Sequence, residues 1–167
     1  MRFGFAAALL IAFSVGGCAT RVTATAPGAT ASASVALPAG ARPDLDRHWV
    51  KPDGNYAWPP NDGFAAAPTA VVLPPGMLLD RFGGDGGNFL SPKGAPFAKR
   101  ALPTVCEELA YKVYRVAAPL LVWTGTAAKW FDEPGGATQF ETDAPVYLLI
   151  SDHVLEPVPV TGAKPCK

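Results

Sequence analysis

Apolar and polar positions follow three different patterns along the chain. Phe3 to Val15 is an apolar run broken only by Gly4 and Ser14. Residues 19–41 are mostly Ala, Thr, Ser, Gly and Pro, with no aromatic side chain and no apolar periodicity. Such a segment cannot bury enough surface to offset its ordering entropy, and it reads as a flexible tether. From Asp44 onward the pattern becomes β-like, in short runs separated by Gly and Pro. Ala70–Leu73 and Met77–Asp80 flank a Pro74-Pro75-Gly76 turn, and Asn88–Ser91 is a further short strand. Tyr111–Val116 alternates as a half-buried strand does. Leu120–Thr124 and Ala137–Thr142 complete the predicted strands. Thr126–Phe131 fits one helical turn. Asp143–Leu155 is expected to be a helix capped by Asp143, although Val146, Tyr147 and Ile150 also suit a strand. The sum is a small α+β domain over residues 44–167, built on a mainly antiparallel sheet with short helices.

The opening run is too short to cross a bilayer comfortably and suits a signal-peptide core. It ends in Val15-Gly16-Gly17-Cys18, which resembles the lipobox of bacterial lipoproteins. That resemblance implies cleavage after residue 17, a lipid on Cys18 and an exported, membrane-anchored protein. Ala19 is not the Asp that marks inner-membrane retention, so an outer membrane, if the cell has one, is the expected destination. The tether over 18–43 would reach roughly 25–30 Å. Two further thiols, Cys106 and Cys166, are expected to form a disulfide in an oxidising compartment; the alternative is two free thiols.

The chain carries 14 Lys/Arg against 14 Asp/Glu, so net charge gives no argument for a nucleic-acid partner. The charges are nonetheless segregated. Arg81 to Arg115 holds six Lys or Arg residues and three acidic ones; Asp132 to Glu156 holds six acidic residues and no Lys or Arg. Two solvated faces would account for this, and so would a basic pocket wall for an anionic small molecule. Walker, Rossmann and Gly-x-Ser-x-Gly patterns are missing. With only His48 and His153, no metal site is expected.

The remaining polar residues sit in rigid, aromatic-flanked turns: YAWPPNDGF from Tyr56, LPPGMLLDRFGGDGG from Leu73, FLSPKGAPFAKRAL from Phe89, YKVYRV from Tyr111 and KWFDEPGGATQF from Lys129. In this order they resemble the tuberculosis necrotizing toxin (TNT) domain and related fungal surface NADases, over about residues 55–155. The resemblance implies hydrolysis of NAD to nicotinamide and ADP-ribose, with NAD as substrate and no cofactor. It places Arg81 and its neighbour Phe82 at the substrate, with Arg81 on the phosphates. Phe89 falls near the nicotinamide, Arg100 in the active site, and Gln139 at the position essential for cleavage. It also leaves room for an inhibitory or immunity protein as a partner.

The residue types suit that chemistry. Guanidinium forks match phosphate oxygens. Nicotinamide leaves NAD as a neutral molecule, so no general acid has to protonate it. Gripping both ends, favouring an oxocarbenium-like ribose and admitting one water is sufficient. Three departures stand out. Lys112 occupies the place of a family His and is counted here among the substrate-binding residues. Ala137 replaces a third glycine. Glu141 follows Gln139 by two, a Gln-x-Glu spacing that resembles ADP-ribosyltransferases and makes Glu141 a catalytic candidate. Mono-ADP-ribosylation of a protein, or a non-catalytic nucleotide- or partner-binding module, are the alternative functions.

Overall fold

The computed structural model describes residues 36–167. The expected signal segment, Cys18 and the tether up to residue 35 lie outside the described residues. Seven strands form one sheet: β1 (Thr69–Leu73), β2 (Leu78–Phe82), β3 (Phe89–Pro92), β4 (Tyr111–Val116), β5 (Leu120–Thr126), β6 (Thr138–Glu141) and β7 (Leu155–Val158). The strand order is β1-β5-β6-β3-β2-β4-β7, and every pairing is antiparallel. Among the described residues a single α-helix, α1 (Val146–Ser151), interrupts the run between β6 and β7.

Alternation along the strands divides the sheet into two faces. Leu79, Leu90, Tyr114, Val116, Leu120, Val122, Phe140 and Leu155 belong to one buried cluster that α1 covers with Val146. Register confirms the shared face: Leu79 lies opposite Tyr114, Leu90 opposite Phe140 and Val116 opposite Leu155. The other parity sends Asp80, Phe82, Phe89, Ser91 and Gln139 to the opposite face. Phe82, Phe89 and Gln139 are therefore on the side that α1 does not cover, whereas Arg81 has the parity of Leu79 and reaches the cavity from the end of β2.

Two predicted elements differ from the structure. The helix expected over 143–155 has only six residues, and Asp143 does not cap it. Its first free amides, of Val146 and Tyr147, donate instead to the carbonyls of Gly87 and Asp85, 3.1 and 3.0 Å away. The cap comes from a distant glycine loop. After His153, which adopts a left-handed backbone (φ 57°), Leu155 opens β7. The helical turn expected over Thr126–Phe131 is absent. β5 runs on to Thr126, and the amides of Ala127 and Ala128 donate to Ala137 and Gly63. Gly135 makes this packing possible: a Cβ there would lie 2.5 Å from the Ala128 carbonyl oxygen, and its φ is 66°.

The segment before β1 folds back as an arm. Leu37 and Ala41, placed at the end of the tether by composition, pack with Leu45, Val50 and Phe131. Arg42 pairs with Glu133 and donates to the Phe131 carbonyl at 2.6 Å. Residues 37–42, expected as part of the tether, are thus packed against the domain, held by apolar and charged partners such as Phe131 and Glu133. Trp49 and Trp130 fasten the arm further, with Trp49 Nε1 on Asp132 Oδ2 and Trp130 Nε1 on the Ala57 carbonyl, both at 2.7 Å.

At the other end, Cys106 and Cys166 form a disulfide with a Cα–Cα distance of 5.7 Å across 60 residues of chain. On the chain-entropy account a loop of that length contributes about 4 kcal/mol. The bridged tail lays Pro165 against Phe97, whose amide donates to the Pro165 carbonyl at 2.8 Å.

Candidate active site

Five of the residues singled out from sequence border one cavity of about 400 Å³: Arg81, Phe82, Phe89, Arg100 and Gln139. A second cavity of about 260 Å³ adjoins it and shares Phe89, Arg100 and Gln139. Both volumes lie at the scale of small-molecule sites.

Arg81 leaves the end of β2 and turns along the glycine loop. Its Nε donates to the Gly84 carbonyl at 2.6 Å and its Nη1 to the Phe89 carbonyl at 2.8 Å. Nη2 has no protein partner among the described residues. A Cβ on Gly87 would lie 2.1 Å from Nη2, so this glycine is what lets the guanidinium lie flat on the loop. Burial lowers the Arg81 pKa, and the nearby Asp85 opposes that shift.

Arg100 is held more firmly. It pairs with Asp80, and its Nε and Nη2 donate to the Ala95 carbonyl at 3.2 and 2.9 Å. Its Cζ sits 4.8 Å above the Phe82 ring. Asp80 is fully buried and also accepts from the Gly94 amide at 2.6 Å and the Tyr111 hydroxyl at 2.7 Å. Burial, then the hydrogen bond to Asp80, pushes the Tyr111 pKa up to about 12. Asp80 is the organising residue that sequence reading missed. Its signal was a carboxylate inside an apolar strand, Leu78-Leu79-Asp80.

Gln139, on β6 opposite Gly125, donates from Nε2 to the Asp62 carbonyl at 3.0 Å. That bond sets the amide and leaves Oε1 as an acceptor at the cavity. The carbonyl is presented by three consecutive left-handed residues, Asn61, Asp62 and Gly63 (φ 53°, 52° and 82°). Non-glycine residues in this conformation cost on the order of 1 kcal/mol or more each. The turn is retained because Gly63 accepts from the Ala128 amide at 2.8 Å and Phe64 donates to Asn61 at 2.9 Å. The turn thereby holds the Asp62 carbonyl against Gln139 Nε2.

Two candidates fall elsewhere. Lys112 does not border the cavity; its Nζ donates to Asp85 at 2.7 Å. Asp85 also accepts from the Tyr114 hydroxyl. Burial alone would raise the Asp85 pKa, but these hydrogen bonds and the Lys112 and Arg81 charges outweigh it and hold the carboxyl below its ordinary value. Lys112 thus fixes the glycine loop under Arg81. Glu141 opens into a separate recess with Asp62 and Asp143. Burial, followed by those two carboxylates, raises its pKa. The basic block is likewise dispersed: Arg81 and Arg100 reach the cavity, whereas Arg115 faces Glu156 and Lys93 faces Thr161. The arm supplies two cavity residues that sequence reading did not select, Tyr56 and Trp58.

This geometry can now be set beside known proteins. The family model described as tuberculosis necrotizing toxin matches residues 72–158, more than half of the chain. The chain belongs to the tuberculosis necrotizing toxin family. A curated relative, the conidial surface nicotinamide adenine dinucleotide glycohydrolase of Aspergillus fumigatus, is 40% identical over 119 residues, covering 64% of this chain and 51% of the fungal protein. The chain therefore spans about half the length of that curated relative. The solved structure of TNT complexed with its immunity factor is 27% identical, with a TM-score of 0.53, covering 64% of this chain and 65% of the toxin chain. The antiparallel sheet with few helices is the TNT fold. The family model begins inside β1, so the arm with Tyr56 and Trp58 precedes the matched residues.

Proposed function

We propose that this TNT-family domain hydrolyses the nicotinamide–ribose bond of NAD, releasing nicotinamide and ADP-ribose. The observation that carries the proposal is the convergence of Arg81, Phe89, Arg100 and Gln139 on one cavity. The similarity to a fungal NAD glycohydrolase supports it. Arg81 Nη2 is placed to take a phosphate oxygen, Phe89 to wall the departing ring, and Gln139 Oε1 to orient the ribose or the attacking water. Arg100, tied to Asp80, adds fixed positive charge. NAD is the substrate, and no step in this scheme requires a cofactor. Purified full-length protein incubated with NAD should release nicotinamide and free ADP-ribose in equal amounts. Unchanged NAD would overturn the proposal and favour a binding module; protein-linked ADP-ribose would favour the transferase.

The placement of Glu141 supports hydrolysis over transfer, because Glu141 borders neither of the two cavities that Gln139 borders and opens into a recess that shares only Asp62 with the smaller one. Glu141→Gln should leave the NAD cleavage rate within a few-fold of wild type. It should also raise the melting temperature at neutral pH. The sign follows from the raised pKa: ionised Glu141 opposes folding above its unfolded pKa, and the penalty fades as acid protonates it. The gain should therefore vanish in acid. A large loss of turnover would restore the transferase reading.

Gly87→Ala offers a test of Arg81 that keeps its charge. The new Cβ would push the guanidinium off the Gly84 and Phe89 carbonyls. KM for NAD should rise roughly tenfold, with a smaller change in kcat. Unaltered kinetics in a folded variant would show that Arg81 need not be held.

Export and anchoring through Cys18 belong to the same proposal. The named surface location of the fungal relative is compatible with export. Cys18→Ser should abolish lipid-dependent membrane retention, and equal partitioning of mutant and wild type would remove this part. An inhibitory partner is proposed on the precedent of TNT bound to its immunity factor. A protein from the producing cell that binds the domain and stops NAD cleavage would be that partner; failure of every binder to inhibit would count against it.

A further inference from the structure

Beyond β7 the chain leaves the sheet, and residues 159–163 are exposed and belong to no strand. The last residues are then fastened to the wall of the larger cavity. Cys166 is bonded to Cys106, the Pro165 carbonyl accepts from the Phe97 amide at 2.8 Å, and Lys164 Nζ donates to the carbonyls of Glu107, at 3.2 Å, and Leu109. These contacts fall on one apolar cluster, in which Phe82, Phe97 and Cys106 are buried and Leu102, Leu109, Tyr111 and Cys166 pack against them. Phe82, Leu102 and Leu109 of this cluster also border the larger cavity. Phe97 connects it to Arg100: its carbonyl accepts from the Arg100 amide at 2.9 Å, and its ring meets Phe82 edge-to-face at 4.8 Å, beneath the guanidinium. Cys106 connects it to Leu109, whose amide donates to the Cys106 carbonyl at 3.2 Å. The bridge is also within reach of a small reagent, because a recess of about 280 Å³ is bordered by both cysteines, with Thr104 and Glu107 beside them.

We propose that the Cys106–Cys166 bridge is a redox gate on the active site: oxidised, it holds the C-terminal tail against the cavity wall; reduced, it releases the tail and loosens Phe97, Arg100 and Leu109. This rests on the reading that the cavity cleaves NAD. The step is thiol–disulfide exchange. Two thiol groups of a small reductant give up two electrons and two protons and leave as a disulfide, while the Cys106–Cys166 bond opens to two thiols. The released tail keeps only hydrogen bonds, from Phe97 and Lys164, and these are individually weak against the freedom that an exposed chain end regains. The cluster loses the packing of Cys166, and Phe97 loses the fixed acceptor that sets the turn carrying Arg100. The sheet is held elsewhere, by the separate cluster that α1 covers. The gate follows the compartment. In a reducing cytoplasm the bridge is open and the site is slack; in an oxidising compartment outside it the bridge closes and the site is complete. A cell that makes and exports the enzyme thereby spares its own NAD.

The test compares oxidised and dithiothreitol-reduced full-length protein at a temperature where both keep their β-sheet circular dichroism. Reduction should lower kcat/KM for NAD by roughly tenfold or more, and reoxidation should restore it. The double variant Cys106→Ala, Cys166→Ala, which keeps Cys18, should match the reduced wild type and ignore dithiothreitol. Unchanged kcat/KM in the reduced protein would overturn the gate. So would loss of the whole sheet on reduction at every temperature, which would make the bridge a staple of the entire fold. Amide hydrogen exchange separates the gate from failure of the activity itself. On reduction the amides of Phe97, Arg100 and Leu109 should lose protection while those of Val113 and Val122 keep theirs. If the oxidised protein does not cleave NAD, this selective loss still supports a gate on the cavity wall; a uniform loss, or none, overturns it.

Discussion

Gln139→Ala should lower the rate of NAD cleavage by about 100-fold or more, roughly 3 kcal/mol of transition-state stabilisation. The side chain is held at one end by the Asp62 carbonyl and presents only Oε1 to the cavity. An acceptor fixed in this way costs little reorganisation as the ribose acquires positive charge, so its contribution belongs mainly to the transition state. KM should therefore change less than kcat. The folded state should tolerate the substitution, because Phe140 rather than Gln139 faces the buried cluster. A matched thermal melt would establish that before rates are compared. A folded variant with near-normal turnover would remove Gln139 from the mechanism.

Asp80→Ala should be the most damaging single change to stability, at about 3–5 kcal/mol, the range for removing one partner of a buried ion pair. The substitution leaves the Arg100 side chain, only 8% exposed, without its counter-charge. It also strands the Gly94 amide and the Tyr111 hydroxyl. Small domains have on the order of 5–15 kcal/mol in total, so the loss is a large share. Asp80→Asn should recover part of it by keeping an acceptor for those two donors. Denaturant unfolding of the three proteins checks the order. Equal stability of wild type and Asp80→Ala would show that Arg100 reaches solvent or another partner.

The sheet was legible because its strands carry their period in the chain. Tyr111–Val116 was bounded to the residue, and β1, β2, β3 and β6 within two residues at each end. What failed depended on groups far away in sequence. The length of α1 is set by carbonyls of Asp85 and Gly87, and β7 follows only because the helix stops early. No local pattern in Asp143–Leu155 carries that information. The same holds at the other end of the domain: Leu37 and Arg42 look like linker in the sequence until Phe131 and Glu133 are brought beside them. Resemblance placed Arg81, Phe82, Phe89, Arg100 and Gln139 together, and they border one cavity. It could not reveal that Lys112 would be taken by Asp85, nor that Trp58 would stand exposed at the cavity lip.

The strand order has a consequence for how function is gained in time. Gln139 lies on β6, in the β1-β5-β6 part of the order, whereas Arg81 lies on β2, in the β2-β4-β7 part; only β3 joins the two groups. The pairings of β1 with β5 and of β3 with β6 close separations of about 50 residues. Such non-local pairings are slow to form. No early local hairpin contains both residues, so catalytic competence should be among the last properties to emerge on refolding. Recovery of NAD cleavage after dilution from denaturant should lag the return of β-sheet signal from individual strand pairs and coincide with completion of the whole sheet.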